Sequence, residues 1–143
     1  MSAIGSRVVK LLKAFGCKLL VADPYVQLSA ADRNDGVEHV ALEELLTRAD
    51  VISLHARVTP ETTGFIGREA LARVKKGAFL INTARGPLVD YQALYDALAS
   101  GQLGGAMLAE RVGAGKTYTA LAVASRHAGS ILVVAPASLR SMW

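Results

Sequence analysis

The stretch GAFLINTARGPLVDYQALYDALASGQLGGAMLA, residues 77–109, decides the fold class of this protein. It opens with an apolar run, 77–86, that ends at Gly86-Pro87, as is typical of a buried parallel strand. Residues 89–102 then show a helical pattern closed by a glycine, and 103–109 form a second strand-like run. A strand, a helix and another strand in this order predict a parallel βαβ unit.

The same alternation extends from this unit toward both ends of the chain. The other predicted elements are helices at 3–15, 42–46, 67–74 and 116–127 and strands at 18–23, 37–41, 50–56 and 130–136. The pattern predicts a doubly wound, mainly parallel, Rossmann-like α/β sheet of about six strands with helices on both faces. We expect a single domain over residues 1–143.

The composition is that of a globular protein, with 52% hydrophobic and 20% charged residues in a chain of 143. No apolar run approaches the roughly 18 residues that a bilayer span requires, and the first residues lack a signal-peptide pattern, so we expect a cytoplasmic protein without a membrane partner. The net charge of +4 is not gathered into a basic patch, so no specific nucleic-acid partner is expected. Cys17, the single cysteine, is interpreted as a small core residue.

Three motifs of a known family occur in order along the chain. They are IGSRVVKLLKAFGCKLLVADPY (4–25), LEELLTRADVISLH (42–55) and TPETTGFIGREALARVKKGAFLINTARGPLVDYQALYDALASGQLGGA (59–106). Residues 3–108 thereby resemble the NAD-binding domain of the D-2-hydroxyacid dehydrogenases, the D-3-phosphoglycerate dehydrogenase branch in particular.

The resemblance implies two cofactor-binding residues. Gly5 matches the third glycine of the dinucleotide fingerprint G-x-G-x-x-G. Asp23 matches the acidic residue that binds the adenosine ribose hydroxyls, although an ordinary polar cap of the strand before Pro24 explains it equally well. His55 resembles a position beside the cofactor, but a hydrogen-bonded histidine at a strand end is the favoured interpretation.

Other parts of the family pattern do not occur in the sequence. The first strand and the first two glycines of the fingerprint would precede Gly5, and Ala109 stands where the family has an aspartate. The histidines at 39, 55 and 127 do not match the acid/base motif, and the substrate-binding domain is absent. Arg85 matches the family's catalytic arginine, but without these partners we interpret it as vestigial and expect no dehydrogenase activity.

A second resemblance covers residues 106–143. AMLAERVGAGKTYTALAVA (106–124) and ILVVAPASLRSMW (131–143) are similar to the first nucleotide-binding segment of Swi/Snf-type superfamily-two helicase-like ATPases. This implies a Walker A loop whose phosphate-binding and Mg²⁺-binding positions are Gly113, Gly115, Lys116 and Thr117.

The Walker A interpretation has limits. Glu110 stands where the strict pattern has glycine, and no acidic pair follows an apolar strand, so we expect no ATP turnover. Thr117 would bind Mg²⁺ only together with a nucleotide, and no other metal site is expected. A glycine-rich connection with a surface lysine is the alternative.

The two resemblances together favour an artificial or recombinant chimera, dehydrogenase-like over 1–108 and helicase-like over 109–143, which would have no natural location. On this hypothesis the chain is not an enzyme and requires no cofactor, with at most weak binding of ATP, phosphate or NAD. The alternative is an NAD-binding fragment of a D-2-hydroxyacid dehydrogenase, an oxidoreductase. The missing first strand would leave a vacancy that strand 131–135 is predicted to fill, within one chain or by exchange in a self-associated, segment-swapped oligomer.

Overall fold

A computed structural model describes residues 3–26, 28 and 33–108 of the protein. Its helices are α1 (Ala3–Lys13), α2 (Leu42–Arg48), α3 (Arg68–Arg73) and α4 (Tyr91–Ala99). Its strands are β1 (Leu19–Val21), β2 (Val37–His39), β3 (Val51–Leu54), β4 (Ala78–Asn82) and β5 (Leu103–Leu108), and a 3₁₀ turn spans Gly86–Leu88.

The strands form two parallel sheets. In one, β1 pairs with β2 so that Val21 lies opposite His39, and in the other the order is β3-β4-β5. The predicted parallel α/β arrangement is therefore confirmed. The described residues contain five strands in two sheets rather than about six in one, because no described strand hydrogen-bonds to both β1 and β3. The predicted elements at 116–127 and 130–136 lie outside the described residues.

The main core lies on one face of the β3-β4-β5 sheet. Ile52, Leu54 and Leu80 point to this face, where they pack against one cluster of side chains from α2, α3 and α4. The opposite face exposes Val51, Phe79 and Met107. The sequence predicted helices on both faces of the sheet. In the described part of the chain, α2, α3 and α4 all pack on the same face of the β3-β4-β5 sheet, so this sheet does not meet that prediction.

A second, smaller core joins α1 to the other sheet. Leu19, Val21 and Val37 are buried there, and Val9 of α1 packs against them. Since α1 is followed after a short connection by β1 and contacts it, the two elements run antiparallel. The amino-terminal end of α1 and the carboxyl end of β1 therefore lie at the same end of this unit.

Cys17 is exposed, so the prediction that it is a core residue was wrong. The chain leaves α1 at Gly16, whose φ of +69° is a conformation that side chains disfavour, and Cys17 follows in the connection before β1. Its thiol therefore lies outside both clusters of buried residues.

Among residues 3–26, 28 and 33–108, no helix is long and apolar enough to cross a membrane. The same residues contain no group of three or more side chains with the spacing of a metal site.

Candidate functional site

Three residues considered in the sequence analysis follow the carboxyl ends of parallel strands, where open α/β sheets bind their ligands. Asp23 follows β1, His55 follows β3, and Arg85 follows β4. Because β3 and β4 are parallel neighbours, His55 and Arg85 both lie at the carboxyl end of the same sheet. Asp23 and Gly5 belong to the other sheet and its helix.

Asp23 is held in a defined turn at the end of β1. Its Oδ1 accepts a hydrogen bond from the backbone N–H of Tyr25 at 2.9 Å. Its main-chain carbonyl oxygen lies 2.8 Å from Nε2 of His39, which donates when the imidazole carries its proton on that nitrogen. These two hydrogen bonds orient both the side chain and the backbone of Asp23.

The surroundings of Asp23 keep its carboxylate charged. Partial burial acts to raise the pKa of Asp23, but a hydrogen bond from the amino group of the chain, the hydrogen bond from Tyr25, and the charges of that amino group and of His39 act to lower it. The net effect is a pKa below the ordinary value, so the group is ionised at neutral pH. An ionised carboxylate accepts hydrogen bonds from sugar hydroxyls.

Gly5 is buried in the first turn of α1. That turn contains no acidic residue, so the positive end of the helix dipole is not offset by a side chain there. Because the start of α1 and the end of β1 share one end of the unit, Gly5 and Asp23 lie on the same side of it. This is the arrangement in which a dinucleotide contacts a helix N-terminus and a strand-end carboxylate.

Asn82 organises the loop that carries Arg85, and this residue was not predicted from the sequence. This side chain is only 1% exposed. Its Oδ1 accepts from the backbone N–H groups of Ala84 at 3.1 Å and Arg85 at 3.2 Å, and its Nδ2 donates to the Arg85 carbonyl at 2.8 Å. An asparagine that ends an otherwise apolar strand was the signal that could have identified it, because a buried amide needs such partners.

Arg85 itself is exposed at the sheet edge. Its Nη1 donates to the carbonyl oxygen of Ala84 at 2.7 Å, and no acidic group in the described ranges forms an ion pair with it. An exposed guanidinium without an acidic partner can bind a carboxylate through two parallel hydrogen bonds.

His55 is half-buried after β3, and its Nε2 lies 3.0 Å from Oγ of Ser53. Burial lowers the pKa of His55, so the imidazole is neutral at neutral pH. This contact agrees with the prediction that His55 is a hydrogen-bonded histidine at a strand end.

A cavity of about 780 Å³ opens beside β2. His39, whose Nε2 contacts the Asp23 carbonyl oxygen, and Arg33 line it, but Asp23, His55 and Arg85 do not. The cavity therefore adjoins the Asp23 turn and is remote from the β3-β4-β5 sheet.

Comparison with known proteins places the chain in a family. Residues 1–109 match the family described as "D-isomer specific 2-hydroxyacid dehydrogenase, NAD binding domain". This chain belongs to that family. The NAD-binding domain covers most of the printed sequence, and the match includes Gly5, Asp23, Asn82 and Arg85.

Similar proteins support this assignment. The chain is 46% identical over 109 residues to a D-3-phosphoglycerate dehydrogenase of Methanocaldococcus jannaschii, covering 76% of this chain and 21% of that protein. It is 44% identical over 108 residues to a glyoxylate reductase of Korarchaeum cryptofilum, and the match covers 76% of this chain and 32% of that protein. A D-lactate dehydrogenase structure from Aquifex aeolicus, complexed with NAD and lactic acid, matches with a TM-score of 0.74 at 35% identity. The match covers 90% of this chain and 41% of that one. The chain thus spans about a fifth to two fifths of the length of these relatives.

These findings correct several hypotheses drawn from the sequence. The hypothesis of a catalytically inactive chimera was wrong, as were the expectations that the chain is not an enzyme and requires no cofactor. The matched family is an NAD-binding one, its relatives are named as dehydrogenases and reductases, and a similar structure contains NAD. Motifs that do not occur in this sequence are therefore no evidence that the protein is inactive. The alternative, an NAD-binding fragment of a D-2-hydroxyacid dehydrogenase, fits better.

The Walker A interpretation gains no support from the comparisons, which give no indication of a helicase-like segment. The family match ends at residue 109. Gly113, Gly115, Lys116 and Thr117 lie outside the residues that the structure describes. Their proposed binding of phosphate therefore stays a prediction from the sequence.

Proposed function

We infer that this chain binds NAD as part of a D-2-hydroxyacid dehydrogenase, an oxidoreductase that acts on small 2-hydroxy or 2-keto acids. The observation that carries this proposal is the oriented, ionised Asp23 at the end of β1, in a domain that belongs to the NAD-binding family. Asp23 accepts hydrogen bonds from the adenosine ribose hydroxyls. The first turn of α1, with Gly5, faces the pyrophosphate.

The residues present fit this cofactor. A dinucleotide requires an acceptor for its ribose hydroxyls and a helix start free of negative charge for its phosphates. Asp23 supplies the first, and the first turn of α1, which has no acidic residue, supplies the second. When bound, NAD supplies the group that accepts or donates hydride.

The described residues contribute binding and orientation to the reaction. Arg85 binds the substrate carboxylate through its guanidinium, and Asn82 holds the backbone from which Arg85 projects. His55 is neutral and lies at the same sheet edge, so it adds no charge that would compete with Arg85 for the substrate.

The proposal is tested by titrating the purified chain with NADH and following the fluorescence of the nicotinamide. Asp23→Ala removes the carboxylate, and loss of hydrogen bonds to a charged group weakens binding by about 10- to 150-fold. Asp50→Ala is the matched control, since Asp50 pairs with Lys75 at the surface of the other sheet. Equal affinity of the wild type and Asp23→Ala would rule out this site.

A further inference from the structure

The loop between β3 and α3, residues 55–67, runs alongside the loop that carries Arg85. The backbone N–H of Gly64 donates to the carbonyl oxygen of Pro87 at 2.8 Å. Two residues further on, Ile66 forms a parallel bridge with Val89, and its N–H donates to a carbonyl oxygen of the same segment at 3.2 Å. The two loops are therefore joined by backbone hydrogen bonds beyond the ends of β3 and β4.

The backbone of Arg85 is held on both sides. On the amino-terminal side, the buried Asn82 side chain accepts from the Arg85 N–H. On the carboxyl-terminal side, the N–H of Leu88 donates to the Arg85 carbonyl oxygen at 3.3 Å and closes the 3₁₀ turn. Pro87, in the middle of this turn, has an exposed side chain, so the hydrogen bond from Gly64 is the contact that holds its peptide group.

The conformation of Gly64 directs its N–H toward Pro87. Its φ is +66°, in the left-handed region that residues with a side chain rarely adopt. A Cβ at this position would meet no atom within 4 Å. The backbone angle therefore requires the glycine, and the available space does not.

Threonine side chains fix the part of the loop that precedes Gly64. Oγ1 of Thr62 donates to the carbonyl oxygen of Arg57 at 2.6 Å and accepts from the N–H of Thr59 at 2.8 Å. Oγ1 of Thr63 donates to the Thr59 carbonyl oxygen at 2.8 Å. These hydrogen bonds close the loop on itself, so the position of Gly64 relative to the end of β3 is defined.

We propose that Gly64 is a positioning residue for Arg85, because the hydrogen bond from its N–H to Pro87 holds the backbone from which the guanidinium binds a substrate carboxylate. This inference rests on the proposed role of Arg85 in substrate binding. The orientation of a guanidinium matters because two parallel hydrogen bonds to a carboxylate must form together. A shift of the turn after Arg85 tilts the side chain and breaks one of the two.

Amide hydrogen exchange of the chain without any ligand, followed by NMR, tests the positioning itself. Gly64→Ala places a side chain in the left-handed region and is expected to raise the exchange rate of the Arg85 amide by about 5- to 30-fold. Gly64→Asn is expected to restore most of the protection, because asparagine tolerates this conformation. Gly101→Ala is the matched control, since Gly101 has a φ of +71° and equally open surroundings but follows α4. It is expected to lower stability by a similar amount and to leave the Arg85 amide unchanged.

A titration with pyruvate in the presence of NADH tests the consequence for the proposed function. The Nε–Hε signal of Arg85 reports the binding of the pyruvate carboxylate. Gly64→Ala is expected to weaken this binding about tenfold, because a hydrogen bond to a charged group is lost. The affinity for NADH is expected to stay unchanged, because its proposed site at Asp23 belongs to the other sheet.

A second pair of variants decides the case if Gly64→Ala does not fold. Thr62→Val removes the hydroxyl that closes the loop, and Thr62→Ser retains it. Exchange of the Arg85 amide is expected to rise in the first variant and not in the second. Thr47→Val is the control, since it removes a hydroxyl that donates to a backbone carbonyl oxygen within α2.

Two results of the exchange experiment overturn the proposal. Unchanged exchange of Arg85 in Gly64→Ala would mean that Asn82 and the buried Leu88 fix the turn by themselves. Exchange that rises equally in Gly64→Ala and Gly101→Ala would be an effect of lower stability alone. A wild type that binds NADH but does not bind pyruvate would instead overturn the proposed role of Arg85, whereas the exchange of its amide would still show whether Gly64 holds its backbone.

Discussion

His39 and Asp23 are 16 residues apart in the sequence, but Nε2 of His39 lies 2.8 Å from the carbonyl oxygen of Asp23. The contact exists because β1 and β2 pair in parallel with Val21 opposite His39, so the two strands end side by side. The imidazole thereby holds the turn in which Asp23 presents its carboxylate. His39 is a positioning residue for the proposed ribose site.

Replacing His39 with Leu is expected to weaken NADH binding by about 2- to 10-fold, because one hydrogen bond that orients the Asp23 turn is lost. His39→Gln retains a donor and is expected to recover most of the affinity. The measurement is a fluorescence titration with NADH at neutral pH. Equal affinities for the wild type and His39→Leu would show that the turn is ordered without this contact.

The stability contributed by Asp23 is expected to depend on pH. Its pKa is lowered in the folded protein, so this contribution is present above the ordinary value of 3.8 and is lost as the pH falls through the lowered folded value. Urea unfolding of the wild type and Asp23→Asn at pH 7 and pH 3 measures it. The wild type is expected to be the more stable protein at pH 7, with a smaller difference at pH 3. A difference that grows in acid would contradict the direction of the pKa shift.

Asn82→Ala is expected to reduce the free energy of unfolding by about 1–3 kcal/mol, because the part-buried hydrogen bonds from the N–H groups of Ala84 and Arg85 lose their acceptor. The exposed Asn34 provides the matched control, and Asn34→Ala is expected to change stability by less than about 0.5 kcal/mol. Urea denaturation gives both values. Similar losses in the two variants would mean that Asn82 does not hold the Arg85 loop.

Asp90 caps the start of α4, where its Oδ1 accepts from the backbone N–H groups of Gln92 at 2.9 Å and Ala93 at 3.1 Å. Asp90→Ala is expected to cost about 1 kcal/mol of stability. Asp90→Asn keeps an acceptor at the same position and is expected to cost much less. Thermal unfolding of the two variants distinguishes the loss of the cap from the loss of the charge. If only the charge mattered, both variants would be destabilised equally.

Much of the domain could be predicted from local patterns in the chain. The apolar runs at 18–23 and 50–56 contain β1 and β3, and the helical pattern at 89–102 contains α4, which starts where Asp90 caps it. The motifs around Asp23 and Arg85 also identified the family correctly. The functional conclusion failed where it relied on motifs that the printed chain lacks.

Other features could not be predicted because they depend on residues that are distant in the sequence. Asn82 acts through its burial, which results from packing β4 between two strands and a layer of helices. Cys17 looked like a core residue because it precedes an apolar run, but the turn at Gly16 leaves it exposed. Neither outcome follows from the identity of the residue and its neighbours alone.

Hydrophobic periodicity was enough to establish an alternation of parallel strands and helices, since the repeat of apolar residues reports the local backbone geometry needed to bury them. It was also enough to locate Asp23 and Arg85 at strand ends. Only the three-dimensional arrangement decided that the described strands form two sheets, that His39 holds the Asp23 turn, and that no described element covers the second face of the β3-β4-β5 sheet. Strand partners, burial and uncovered surface are set by contacts between segments far apart in the chain, and no local pattern contains that information.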